Sequence, residues 1–305
     1  MTHRIGFCCK YLDNVDQLNG YKPTDPAKLL NTGTTTVKWL TENKSKAEDK
    51  LWELVRRNLH ATYRLVEEVS RYPESLRMMR IGSDLLPVYT ERTNKHFYQK
   101  SDVIDFVAEQ FARIGELARS KDVRLSFHPG QFCVLASHRD DVVNNSIEEF
   151  EYHVDMARCM GYGKEFQDIK INVHISGKRG PQGIKDVVGR LSPEARNTIT
   201  IENDEISWGI EASLELVDTC ALVFDLHHHW VKTGEYISAD DPRIQRIIES
   251  WRGVRPTLHY SVSREDILEG HLPNERPNLM PLMESGHNKQ KLRAHSDYYW
   301  NDAVN

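Results

Sequence analysis

At 305 residues the chain is long enough for one large core or two ordinary domains, and α/β barrels commonly use about 250 residues as one domain. Forty Lys and Arg against 45 Asp and Glu leave a formal net charge of -5, which excludes a wholesale polybasic mode of nucleic-acid binding. No apolar run approaches the ~18–20 residues of a membrane span, and the apolar length after Met1–Phe7 is too short for a signal peptide.

Short apolar runs predict strands at Arg4–Phe7, Met78–Ile81, Val123–His128, Ile169–His174, Ile199–Glu202, Ala221–Asp225 and Thr257–Ser261. Between them, amphipathic spacing predicts helices over Lys46–Tyr72, Asp102–Ser120, Ser146–Met160 and Asp241–Trp251. In the first of these, Leu51, Leu54, Val55, Leu59, Val66 and Val69 fall on one face. Ser146 with Glu149 three residues later reads as a capping box that opens the third. Strands alternating with helices imply a parallel sheet, open or closed, in one domain spanning 1–305. Residues 264–294, rich in Pro, Asn, Gly and charge, read as a long excursion rather than a boundary. Seven strands are one short of a closed (β/α)8 barrel. Five cysteines, with no Cys-x-x-Cys pair, fit a reducing cytoplasm and no disulfide framework.

Parallel α/β proteins place their chemistry at the carboxyl ends of strands. Here those ends read Ser126-Phe127-His128-Pro129-Gly130-Gln131, Asn172-Val173-His174, Ile201-Glu202-Asn203-Asp204, Asp225-Leu226-His227-His228-His229 and Leu258-His259-Tyr260-Ser261, with His295-Ser296-Asp297 after the excursion. A single His at a strand end is usually a structural hydrogen-bonding residue. Five consecutive strands ending in His, Glu or Asp are not independent accidents. Imidazole with carboxylate suits Mn²⁺, Zn²⁺ or Fe²⁺, whereas Mg²⁺ leans on oxygen ligands. Six or more ligands exceed what one ion uses, so a cluster of two to three divalent ions follows, a device that clamps the attacking and leaving oxygens of a phosphodiester. Among His227, His228 and His229, at least one is expected merely to cap a turn.

The chain resembles the ultraviolet-damage endonucleases, metal-dependent DNA repair nucleases with a xylose-isomerase-like, TIM-type (β/α)8 barrel. The resemblance is carried by those strand ends together with Arg80-Ile81-Gly82-Ser83-Asp84-Leu85-Leu86-Pro87, His128-Pro129-Gly130-Gln131-Phe132 and Ser146-Ile147-Glu148-Glu149-Phe150-Glu151-Tyr152-His153, all in the expected order. It implies incision of the phosphodiester 5′ to photoproducts, and at abasic sites, in damaged double-stranded DNA. It also implies a three-metal cluster usually assigned as manganese, and no organic cofactor. Carried over position by position, His128, His174, Glu202, Asp225, His228, His259 and His295 are the implied ligands, with Glu202, His128 and Asp225 catalytic.

The resemblance also implies that Gln131 and Phe132 probe the helix beside the lesion, Phe132 standing where the family has Tyr; the competing explanation is that Phe132 is core. Arg80, Lys178 and Arg179 are candidate DNA contacts because they lie at or just after strand ends, with a solvated surface charge as the alternative for each. Two departures stand out. Thr257 replaces a family Lys two residues before the seventh-strand His, and the family's last strand with its ligand Glu has no counterpart after His295-Ser296-Asp297. The expectation is a cluster whose ion nearest His259 and His295 is weakly held. Two rivals are a sugar isomerase of the xylose-isomerase kind, which Gln131-Phe132 and His-Ser-Asp do not suit, and a lesion-binding module without catalysis, which the two departures keep as an alternative.

Overall fold

The computed structural model describes residues 3–13 and 25–304; Met1, Thr2 and Asn305, at the two chain ends weighed above, lie outside them. Seven strands are described: β1 (Phe7–Cys8), β2 (Met78–Ile81), β3 (Arg124–Phe127), β4 (Lys170–His174), β5 (Ile199–Glu202), β6 (Ala221–Asp225) and β7 (Leu258–His259). They are neighbours in chain order, and the registered pairs are parallel. This is the βα topology of a TIM-type barrel with no eighth strand among the described residues. Each predicted strand is present. β1 lies beyond its predicted start, because Arg4 turns to the Asp122 carboxylate and the Arg77 carbonyl and leaves Phe7–Cys8 to pair with β2.

The longer helices are α1 (Ala47–Val69), α2 (Ser101–Ser120) and α3 (Asp140–Cys159). The predicted face of α1 is buried, from Leu51 to Val69. The capping box at Ser146 is wrong. Helix α3 starts six residues earlier at Asp140, and Ser146 sits inside it, its hydroxyl donating to the Val142 carbonyl and accepting from Val134 N–H. A Ser side chain that satisfies the previous turn cannot cap an end. α4 (Gly180–Val188) follows β4, α5 (Leu226–Thr233) follows β6, and α6 (Pro242–Ser250) opens on Asp241, whose carboxylate accepts from Arg243 N–H.

The chain divides into two compact units, one of Met1–Gly130, Glu148–Ile171 and Ser192–Thr198, the other of Gln131–Ile147, Asn172–Leu191 and Ile199–Asn305. In the first, α1 and α2 pack over the early strands, and Gly115 is required because a Cβ there would meet the Met160 carbonyl oxygen at 2.0 Å. In the second, β5 and β6 are buried at every position, as parallel strands covered on both faces must be. The 264–294 excursion is not a loose loop. Ser263 and His295 bridge its two ends antiparallel, and Leu268, Leu279 and Leu292 pack against Trp230 and Val231 of α5. No described helix is long and apolar enough to cross a membrane.

Candidate metal centre

The ends of β4 to β7 carry the cluster. The β6/β7 register sets Asp225 beside His259, and β5 ends in Glu202, whose side chain is 1% exposed. Glu202 gathers its neighbours. Its Oε1 lies 2.9 Å from His259 Nδ1 and 3.4 Å from His228 Nδ1, and its Oε2 lies 3.7 Å from His174 Nε2. Asn172 donates its amide to Glu202 Oε2. The amide is oriented by Thr200, whose hydroxyl donates to Asn172 Oδ1 at 2.8 Å, which leaves only the NH₂ to face the carboxylate.

Asp225 closes the other side. Its backbone N–H donates to Asn203 Oδ1 and its carbonyl accepts from Asn203 Nδ2, at 2.8 and 2.9 Å. Its carboxylate caps α5 by accepting from His228 N–H at 2.8 Å, which presents His228 one turn into the helix. His228 Nδ1 then faces the Asn203 carbonyl at 3.0 Å, and His174 Nδ1 faces Asp204 Oδ2 at 3.5 Å. Nitrogens spent on protein acceptors leave Nε2 as the atom that could ligate a metal on both rings.

One ligand atom from each of Glu202, Asp225 and His228 lies within 4.8 Å of the others, and the same holds for His174, Asp204 and Glu205. The electrostatics match a cation site. Burial alone pulls His228 down, but the Asp225, Glu202 and Glu205 carboxylates outweigh it and raise the imidazole to about 9. Burial also opposes a charge on His174, and Glu202 and Asp204 reverse it and raise that group. Asp225 is pushed up by burial, against the pull of His228. Glu205 Oε2 is buried with no hydrogen-bond partner, 3.7 Å from His228 Nε2. An orphaned carboxylate oxygen beside an imidazole nitrogen is what a divalent cation would satisfy, so the donor set fits the ion the fold implies.

The three consecutive histidines separate. His228 joins the cluster, while His229 turns to Glu235 Oε2 at 3.0 Å and is structural. His227 points to Ser263 and to His295, and burial, then His295 and His228, drive it well below the ordinary histidine value. His295 also contacts Ser261. Thr257 is buried at the entry to β7.

His128 sits just beyond β3, its Nδ1 against the Pro129 carbonyl at 2.9 Å and its own carbonyl accepting from Ser83. Gln131 and Phe132 are exposed, Phe132 at 85%, so it is not core. Arg80 is half-buried in β2, Lys178 is exposed, and Arg179 is tied to Asp186. The candidate site set read from the sequence left out Asp204, Glu205, His227 and Ser263. Asp204 and Glu205 follow Glu202 by two and three residues and carried a readable signal; Ser263 carried none.

Across residues 4–301 the chain matches the model of UV-endonuclease UvdE. A UV DNA damage endonuclease of Bacillus velezensis is 28% identical over 276 residues, covering 85% of this chain and 80% of that protein. A UV-damage endonuclease of Schizosaccharomyces pombe is 29% identical over 237 residues, covering 73% of this chain and 35% of that one. The crystal structure of SacUVDE shares the fold, with a TM-score of 0.66 at 22% identity over 90% of this chain and 83% of that chain. With the family match over nearly the whole chain, and with His, Glu and Asp at the strand ends, the chain belongs to the UV-endonuclease UvdE family and is an endonuclease acting on phosphodiester bonds.

Proposed function

We propose that the chain is a divalent-metal-dependent DNA repair endonuclease that incises double-stranded DNA at ultraviolet lesions, on the 5′ side of the photoproduct, and at abasic sites. The observation that carries this is the Glu202–Asp225–His228 group, buried and within 4.8 Å. His128, His174, Glu202, Asp225, His228, His259 and His295 would hold two to three ions; the mixed imidazole and carboxylate set admits Mn²⁺, Zn²⁺ or Fe²⁺, and the family resemblance points to Mn²⁺. His128 and His295 are assigned from their family motifs and their places after β3 and the excursion. When bound, such ions activate a water and stabilise both the attacking and the leaving oxygen.

The chain's own residues hold and orient. Asn172 fixes the Glu202 carboxylate, Asn203 holds the Asp225 backbone, and the Nδ1 contacts of His174 and His228 fix their rings. Glu202, with two oxygens directed to different neighbours, is suited to bridge two ions. Phe132, exposed beside Gln131, offers a face for stacking where a lesion is extruded, because damaged steps stack poorly. Lys178 supplies positive charge on a chain that is acidic overall. The setting is the cytoplasm, on the nucleoid.

Supercoiled plasmid, irradiated or not, assayed with and without Mn²⁺ tests the reading. Nicking of irradiated plasmid with Mn²⁺ alone is expected. A mobility shift without nicking would leave lesion binding only.

A further inference from the structure

His227 and Ser263 lie outside the ligand list, yet they are among the most buried polar residues, at 1% and 0% exposure. Their contacts have a direction that can be worked out from proton counting. Ser263 Oγ lies 2.5 Å from the Leu292 carbonyl, and a carbonyl can only accept, so the hydroxyl proton is spent there. Ser263 Oγ also lies 3.1 Å from His227 Nε2, and with its proton committed it can only accept. His227 therefore carries its proton on Nε2. Burial at 1% exposure disfavours a second proton, so Nδ1 keeps its lone pair. That lone pair faces His295 Nδ1 at 3.2 Å. Two lone pairs face to face would repel, so the proton between the rings belongs to His295 Nδ1, and Ser261 Oγ, in contact with the same nitrogen, accepts from it as well.

We infer that His227 and Ser263 are positioning residues of the metal centre: a one-way chain of hydrogen bonds from His295 Nδ1 through His227 and Ser263 to the Leu292 carbonyl fixes the His295 tautomer and leaves its lone pair on Nε2. The backbone supports the register, because the Ser263–His295 bridge is flanked by Arg264 N–H to the Ala294 carbonyl at 3.0 Å and Ser296 N–H to the Val262 carbonyl at 2.8 Å. The 264–294 excursion is thus the element that delivers a ring in one tautomer, since Leu292 belongs to its returning end and His295 follows it directly. Outer partners of this kind orient ligating imidazoles and tune their basicity. The inference rests on the reading of His295 as a ligand; the proton order does not.

Two measurements on the full chain test it. In the metal-free protein with ¹⁵N-labelled histidine, two-bond ¹H–¹⁵N correlations report each ring's tautomer, with His227→Gln and His295→Gln assigning the peaks. His227 is expected as the Nε2–H tautomer and His295 as the Nδ1–H tautomer; a His227 protonated on Nδ1, or on both nitrogens, overturns the relay. Mn²⁺ titration then reads the consequence. Ser263→Ala and His227→Phe are each expected to weaken one Mn²⁺ site about ten- to a hundredfold with little change in unfolding midpoint, and Ser263→Thr, which keeps the hydroxyl, restores it. Wild-type Mn²⁺ affinity in both variants, while His295→Ala weakens the site, overturns the positioning role. A wild-type chain that takes up no Mn²⁺ removes the proposed function, and the tautomer spectrum still decides the relay.

Discussion

Two buried histidines, one in each compact unit, carry opposite electrostatics. His153, on α3 in the first unit, is fully buried against Phe127 and Tyr152, with its Nδ1 on the Glu149 carbonyl at 2.8 Å and its Nε2 without a partner. Burial drives it down to about 4. His228, 4% exposed, meets the same desolvation, yet three carboxylates raise it to about 9. Burial alone therefore does not mark a functional histidine. What separates the two is the negative charge facing the ring: Asp225, Glu202 and Glu205 converge on His228, whereas the Glu149 carboxylate 3.8 Å from His153 is engaged by Thr90.

The strongest way to break this contrast is at Glu202. Glu202→Gln keeps the shape and removes the charge shared by His174, His228 and His259, so nicking of irradiated plasmid should fall roughly a thousandfold, with loss of bound metal. Near-wild-type nicking and metal content would dissolve the cluster as described. His153→Leu should behave in the opposite way, leaving metal content unchanged and altering only stability.

The pH dependence of that stability has a defined sign. With a folded value of about 4 against an ordinary 6.5, neutral His153 contributes fully above pH 6.5, and the contribution is lost as pH falls from 6.5 toward 4. Between pH 7 and pH 4.5 the loss is about 2–3 kcal/mol. Urea midpoints of the wild-type chain should drop over that interval by more than those of His153→Leu. Equal drops would mean that His153 does not titrate as its surroundings require.

A third class of residue, exposed rather than buried, sharpens the contrast from outside. Phe132→Ala should change neither metal content nor unfolding, and should weaken binding to irradiated DNA by about 1–3 kcal/mol while sparing intact DNA. Equal weakening on both DNAs would take Phe132 out of lesion recognition. The smallest effect is expected at the surface charges. Binding should weaken with salt along a slope worth only a few phosphates, and Lys178→Ala should lower that slope by about one. Arg179→Ala should do less, because its guanidinium is already paired with Asp186. A salt-independent affinity would remove phosphate contacts as the main term.

Much of this could be read without coordinates. The strands from β2 to β6 fall at their predicted places, because each is a short apolar run bounded by polar punctuation, and buried parallel strands have no other way to read. The same runs end in the residues that gather around Glu202, so His174, Glu202, Asp225 and His259 were legible as candidates as soon as a parallel sheet was inferred. Local signals failed where two local interactions competed. Ser146 and Glu149 spell a cap, yet the Ser146 hydroxyl is taken by Val142 and Val134, and α3 begins earlier.

Only tertiary structure could sort Leu226-His227-His228-His229, since three adjacent histidines have the same local sequence cues and differ in what lies opposite. His228 meets Glu202 and Asp225, His229 meets Glu235, and His227 meets a serine and a histidine 36 and 68 residues further along. The 264–294 segment reads as an excursion because its composition lacks periodicity, but its leucines pack on α5 and its ends pair across Ser263 and His295. Strand periodicity is a property of neighbouring residues and so is written in the sequence, whereas the charge and proton order around a buried imidazole depend on groups brought together by loop closure, which leaves no trace in the spacing along the chain.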